Sequence, residues 1–393
     1  MAAPRQAERA PAEAMGRLRR EEFPVTRDKA WFNTATYGPL PVSNVRAQQA
    51  MLEGMMHGLN PPGLGHWWEG AAEVRAKVGR FIGCKPDDVA LLHSTGAGIA
   101  LVSLGLDWRA GDEVVLYEQE FPSGVYPFLA LQKKGVRVRF IEDRGRHRFD
   151  ADDVAAVMSD RTRVVCVSLV NCYHGFRAPV EDISQICRRR GVWLLVDAVQ
   201  AAGVLPVDVG GLGADLVTAH GYKSLCSGYG ISFCYISPEL RERLDVAAPG
   251  WKNIEDAPFI NRQLDYNLRY AASARRYEAG VQNLAGMYGL GASIDLFSGA
   301  GAGVIADWVL GISRAVIEAA GEKGYPVASS VRPGEMSSIV SLDVPGGDAA
   351  AVCAGLAEQN VICAVRDGRL RISCHLFNNT DDVARLADAL PPR

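Results

Sequence analysis

At 393 residues the chain has room for one large core and a smaller second domain. It is 48% hydrophobic and 22% charged, with a formal net charge of -3, so composition gives no reason to expect nucleic acid or an anionic membrane as partner. No apolar run approaches membrane-spanning length, and the opening MAAPRQAERAPAEAMGRLRR has no apolar h-region of a secretory signal; residues 1–30 read as a frayed amphipathic arm.

The nine cysteines contain no C-x-x-C pair, their number is odd, and Cys166 and Cys234 fall inside apolar strands. That pattern suits reduced thiols in a cytoplasmic protein better than a disulfide framework or a zinc site.

From about residue 87 short apolar runs alternate with longer amphipathic ones. DVALLHS reads as a strand and GAGIALVSLGL as a helix; EVVLYE is a strand and YPFLALQKKG a helix. VRVRFIE and RVVCVSLV are strands separated by the helical run ADDVAAVMSD, and EDISQICRRRG is a helix before the strand VWLLVDA. Such alternation predicts a mostly parallel sheet covered by helices on both faces, with ligands bound at the C-terminal ends of its strands. Residues 246–285 are aromatic, charged and irregular, a long connection of the kind that often carries function. Beyond it, helical runs and the strands SSIVSLDV and LRISC predict a smaller α+β domain over 286–393, leaving 31–285 as the large domain.

The informative residues follow the strands. Ser94-Thr95-Gly96-Ala97-Gly98 sits between a strand and a helix, where backbone N–H groups and a hydroxyl make an anion site for a phosphate. Gly96-x-Gly98 also mimics a dinucleotide fingerprint, with Glu118 about twenty residues on, but position 101 is Leu in place of the third glycine. Small residues for strand–helix packing explain the same pattern. Phe121 follows EVVLYE and can stack on an aromatic ligand or cap the next helix. Asn171 and His174 follow RVVCVSLV; Asn171 can bond a cofactor's phenolic oxygen or a substrate carboxylate, and His174 can serve as acid or base or bond solvent.

Asp197 directly follows WLLV and needs a cationic partner or hydrogen bonds to stay ionised. A protonated pyridine nitrogen supplies that partner; an N-cap role is the plain alternative. Gln200, three residues on, suits a bond beside such a ring. Lys223 lies in the polar, glycine-rich HGYKSLCSGYG between apolar strands. A lysine desolvated there has a lowered pKa and can form a Schiff base with pyridoxal phosphate. His220 and Tyr222 flank it within reach of a phosphate. Arg371, in a strand of the small domain, has the fork that captures an α-carboxylate, or serves a surface ion pair.

From WFNTATYGPLP to LFNNTDDVARL the chain resembles the aminotransferase class V family of fold-type I pyridoxal phosphate enzymes. The most specific pieces are EFPSGVYPF, LLVDAVQAAG, the lysine loop and LRIS. The nearest look is toward isopenicillin N epimerase-like and cysteine-conjugate lyase-like proteins. The resemblance implies pyridoxal 5′-phosphate as cofactor, with Thr95, Gly96 and Ala97 on the phosphate, Phe121 stacked on the ring, and Asp197, Gln200, Lys223 and Arg371 in the roles above. It also implies a homodimer in which Gly280, Val281, Gln282 and Asn283 approach the neighbour's phosphate. His220 stands where many relatives carry Ser or Thr, and Val281 where they carry Thr.

Desulfurases of the family carry a catalytic cysteine on a loop before the arginine, for which AVRDGRLRIS leaves no room. The expectation is a lyase or aminotransferase acting on an unusual, sulfur-substituted amino acid in specialised metabolism, through an external aldimine and Cα deprotonation. Alternatives are an epimerase on the same scaffold, a nicotinamide-dependent oxidoreductase, or a non-catalytic pyridoxal phosphate-binding protein.

Overall fold

A computed structural model describes residues 6–58, 67–257, 264 and 266–392. Twelve strands run in chain order: β1 (Ala30–Trp31), β2 (Val89–Leu92), β3 (Glu113–Tyr117), β4 (Arg137–Ile141), β5 (Thr162–Ser168), β6 (Trp193–Asp197), β7 (Leu216–His220), β8 (Ser232–Ile236), β9 (Ile339–Leu342), β10 (Val361–Ile362), β11 (Ala364–Arg366) and β12 (Arg369–Ser373). Seven of them form a sheet of order β2-β8-β7-β6-β5-β3-β4, in which only β8 runs antiparallel to its neighbours. The fold is α/β with a mostly parallel central sheet, as the alternation of runs implies.

The central strands read as unbroken apolar runs because both faces are covered. Successive side chains alternate between two cores. Val115, Val165, Leu194, Val196 and Val217 join one face. Val114, Leu116, Val164, Leu195 and Leu216 join the other, under helices Thr95–Gly105 and Pro122–Leu129. The edge strand β4 is mostly exposed, and its Arg137 and Arg139 pair with the buried Glu113 on β3.

The first core is continuous with the C-terminal region. Helix Leu284–Ala300 bends by 82° at Gly301 (φ 85°) into Ala302–Glu322, and buried Phe297, Ile305 and Val309 join it to Leu342 and Leu370. There β11, β12 and β9 form an antiparallel sheet. Among the described residues no single helix is long and apolar enough to cross a membrane.

The N-terminal arm is not frayed where it is described. Residues Gln6–Glu22 form a helix that docks through buried Met15 and an Arg19–Asp382 ion pair, with Phe23 buried just beyond it. Alanine, glutamate and arginine dominate the run, so the docking residues give little periodic signal. The connection expected over 246–285 is irregular in its described part up to Asn283, with short 3-10 turns at Trp251–Asn253 and Ala274–Tyr277, and the helix Leu284–Ala300 begins within its last two residues; residues 258–263 and 265 lie outside the described residues.

Candidate active site

The C-terminal ends of the parallel strands converge on a cavity of about 220 Å³. Its lining includes Ser94, Thr95, Gly96, Phe121, Asp197, Gln200, His220, Tyr222 and Lys223, together with Ser123, Ser168, Cys172 and Val199, for which the sequence suggested no role. Cross-strand register explains the convergence: Ser168, Asp197 and Thr218 form one row across β5, β6 and β7.

Lys223 is 7% exposed. Its Nζ lies 4.9 Å from the Phe121 ring centroid and 5.6 Å from that of Tyr222. Burial pushes its pKa down, against the opposing pull of Cys172 and Asp197, so a neutral amine is accessible nearer neutral pH. The loop is held from below. Gly38 donates its N–H to the Tyr222 carbonyl at 2.8 Å, and a Cβ on Gly38 would lie 2.2 Å from the Lys223 carbonyl oxygen.

Asp197 is 8% exposed, with Oδ1 accepting from the Val199 N–H at 2.8 Å and, among the described residues, no further side-chain hydrogen bond. Burial pushes its carboxyl up to about 6, against that hydrogen bond and the charge of Lys223. A second carboxyl stands behind it. Glu120 Oε1 accepts from the Phe121 N–H at 2.8 Å and from the Ser168 hydroxyl, and Oε2 accepts from the Ser168 N–H at 2.7 Å. Burial raises Glu120 to about 7, with the charge of Asp197 adding to the effect. Glu120 thus fixes the backbone at Phe121. Its only sequence signal was a carboxylate immediately before an aromatic–proline pair at a strand end.

Ser94 caps helix Thr95–Gly105, accepting from the Ala97 N–H at 3.1 Å. The Thr95 hydroxyl beside it is buried without a hydrogen-bond partner. Gly98 meets strand β7 so closely that a Cβ would lie 2.8 Å from Thr218 Oγ1, so the second glycine of the G-x-G turn serves helix–sheet packing. Gln200 donates one amide hydrogen to the Ala35 carbonyl at 3.1 Å, leaving the other free. Burial lowers His220 to about 4; its Nδ1 accepts from the Tyr222 N–H at 3.2 Å, leaving a neutral ring over the loop.

Arg371 is 2% exposed and, among the described residues, has no carboxylate partner. Its two terminal nitrogens donate to the Cys172 carbonyl at 2.8 Å and to Thr36 Oγ1 at 2.7 Å, while Nε has no partner. Burial lowers it to about 10, with Arg366 nearby acting in the same sense. β11 reaches β12 through Asp367 and Gly368 alone, both at positive φ (49° and 72°), the two-residue turn that matches strand twist.

Asn171 is not in the cavity wall. Its Oδ1 accepts from the Tyr173 and His174 N–H groups at 2.9 and 3.1 Å, and its Nδ2 donates to the Gln119 carbonyl at 2.8 Å, so its amide holds the turn after β5. His174 is buried in that turn against Gln119 and His147, and burial lowers it to about 4. Ala97 and Gly280–Asn283 line a neighbouring apolar cavity of about 580 Å³ together with Gly96. Gln282 is tied there to a buried ionic cluster: Glu278 takes a bidentate bond from Arg75 (2.7 and 2.6 Å), the Leu91 N–H at 2.9 Å and Lys252 at 3.2 Å.

These residues fit pyridoxal phosphate. An unpartnered buried hydroxyl and helix N-terminal amides await a phosphate, Asp197 has an oxygen free for a ring cation, Phe121 offers a ring face, and Lys223 is poised for covalent attachment.

Comparison with known proteins agrees. An uncharacterised aminotransferase of Bacillus subtilis is 27% identical over 82% of this chain and 85% of its own. A probable cysteine desulfurase of Methanothermobacter thermautotrophicus is 30% identical over 70% of this chain and 68% of its own. The solved complex of the cystine C–S lyase C-DES with its product cysteine persulfide superposes with a TM-score of 0.85 at 23% identity, covering 94% of this chain and 100% of that one. The aminotransferase class-V profile matches residues 65–386, and the chain belongs to that family of pyridoxal phosphate-dependent enzymes.

Proposed function

We propose that the enzyme removes the Cα proton of an amino acid bearing a sulfur-linked β-substituent and expels that substituent, acting as a C–S lyase that carries no persulfide on a cysteine of its own. The observation that carries the reading is the placement of buried Lys223 with Asp197 and the guanidinium of Arg371, which has no carboxylate partner among the described residues, together with a β11–β12 connection of only Asp367 and Gly368, which holds no cysteine.

Bound pyridoxal phosphate supplies an electron sink for the charge left when the Cα proton departs. The chain's own residues do the rest. Lys223 Nζ, kept deprotonable by burial, takes the proton. Arg371, already desolvated, binds the α-carboxylate without first breaking an internal ion pair. Asp197 would hold the ring nitrogen's proton, and Glu120 fixes the backbone of Phe121, whose ring would stack on the cofactor. Thr95, Gly96, Ser94 and the neutral His220, all in the cavity lining, would hold the phosphate. Cys172 lines the cavity, but burial pushes its thiol up to about 11, which keeps it a protonated, polarizable contact and not a nucleophile. The relatives named above span an aminotransferase, a desulfurase and a C–S lyase, and the two-residue connection between β11 and β12 argues against the desulfurase among them.

We further propose a homodimer, with Gly280–Asn283 contributed across the interface; the apolar cavity these residues share with Gly96 and Ala97 supports a contact at that face. Product analysis tests the activity. With S-methyl-L-cysteine the holoenzyme is expected to yield pyruvate, ammonia and methanethiol. A keto acid retaining the methylthio group, with no ammonia, would make it an aminotransferase instead.

A further inference from the structure

All nine cysteines are free, and two that do not line the cavity face each other. Cys353, on helix Ala349–Glu358, places its Sγ 3.6 Å from Sγ of Cys363, which sits between β10 and β11. Cys353 is half-buried and Cys363 is 7% exposed, so solution reagents reach Cys353 first.

The junction around Cys363 matters for the site. The strand before it, β10, pairs with β1, and the chain after β1 carries Thr36, which holds Arg371. The residue after it, Ala364, lies directly opposite Arg371 in the β11–β12 ladder. One of the guanidinium's two partners, Thr36, thus follows the strand paired with β10, and the ladder neighbour of Arg371, Ala364, opens β11; β10 and β11 meet at Cys363. The other partner, the Cys172 carbonyl, comes from the turn after β5.

We propose that Cys353 and Cys363 form a thiol–disulfide modification site that takes small-molecule disulfides and couples their reduction to the affinity of the Arg371 pocket. The Cys353 thiolate attacks one sulfur of the small disulfide and expels the other half as a thiolate. That thiolate takes the proton of the Cys363 thiol, whose sulfur then attacks Cys353 Sγ in the mixed disulfide and expels the second half, which is protonated from solvent. One intramolecular disulfide and two small thiols result, so the electron pair lost by the protein is the pair gained by the reagent.

The 3.6 Å contact favours a thiolate at the half-buried Cys353 over one at Cys363, which the same contact and burial push up, whereas burial pushes Cys84 and Cys187 up to about 12 and Cys172 to about 11. A disulfide bond of about 2.0 Å requires the two sulfurs to approach by roughly 1.5 Å. That draws the Cys363 junction toward the helix and disturbs the strand pairing behind Arg371.

The test treats the reconstituted holoenzyme with glutathione disulfide and maps its peptides by mass spectrometry. A Cys353–Cys363 cross-link is expected, Cys363→Ser should trap glutathione on Cys353, and Cys353→Ser should leave Cys363 unmodified. The cross-linked enzyme should need about tenfold more S-methyl-L-cysteine to half-saturate its spectral change, restored by dithiothreitol and absent from Cys353→Ser. No cross-link, or glutathione settling on Cys84 instead, would overturn the site; a cross-link with unchanged half-saturation would overturn the coupling. The mass readout needs no turnover, so an enzyme unresponsive to S-methyl-L-cysteine would count against the lyase reading and leave the modification site judged on its own.

Discussion

Replacing Asp197 with Asn should stabilise the cofactor-free protein while weakening the cofactor-loaded one. Asn preserves the shape and can still accept from the Val199 N–H, so the change isolates the buried charge. Folding raises this carboxyl from its ordinary 3.8 to about 6, chiefly through burial. A group raised in this way contributes stability that is fully present below about pH 4 and is lost as pH rises through 6. The displacement corresponds to about 3 kcal/mol at neutral pH. The advantage of Asp197→Asn should therefore be near zero at pH 4 and grow to about 3 kcal/mol above pH 7. Urea unfolding of both cofactor-free proteins across that range measures it. With saturating pyridoxal phosphate the order should reverse, because the ring nitrogen gives the carboxylate the cation it lacks and gives Asn nothing. Parallel stability curves for the two proteins, with or without cofactor, would refute the claim that Asp197 waits for a cation.

Arg371→Ala should raise KM for amino acids roughly tenfold to a hundredfold, the loss of charged hydrogen bonds to a carboxylate, with little change in cofactor affinity; steady-state kinetics beside a cofactor titration separate the two. Gly98→Ala should cost about 1–3 kcal/mol in unfolding free energy because its Cβ would press on Thr218, without removing any phosphate contact. Glu278→Gln should cost about 3–5 kcal/mol, since Arg75 and Lys252 would stay buried against a neutral amide; unchanged thermal stability would show that the cluster is solvated.

The chemistry of the cavity floor was legible because strand ends have few ways to explain a charged residue. Asp197 breaks the apolar run of WLLV, Lys223 stands in a polar, glycine-rich loop between two apolar strands, and the structure seats them in one cavity. Residues whose role depends on long-range partners were not legible. Arg371 read equally well as a surface ion pair, and its burial against Thr36 and the Cys172 carbonyl, more than three hundred and about two hundred residues away in sequence, has no local signature. Glu120 drew no reading from the sequence, since its bonds to Ser168 come from a neighbouring strand. Asn171 shows the converse: its amide satisfies the turn after β5, a local demand that polar residues at strand ends often meet. In the N-terminal helix, docking through Met15 is set by the far surface it meets and not by its own periodicity.

The measurement that tests the account most directly is borohydride reduction of the pyridoxal phosphate-reconstituted enzyme followed by peptide mapping. The account predicts cofactor fixed to Lys223 alone, and none fixed in Lys223→Ala. Cofactor recovered on another lysine such as Lys252, or on none while the wild-type protein still turns over an amino acid, would contradict it.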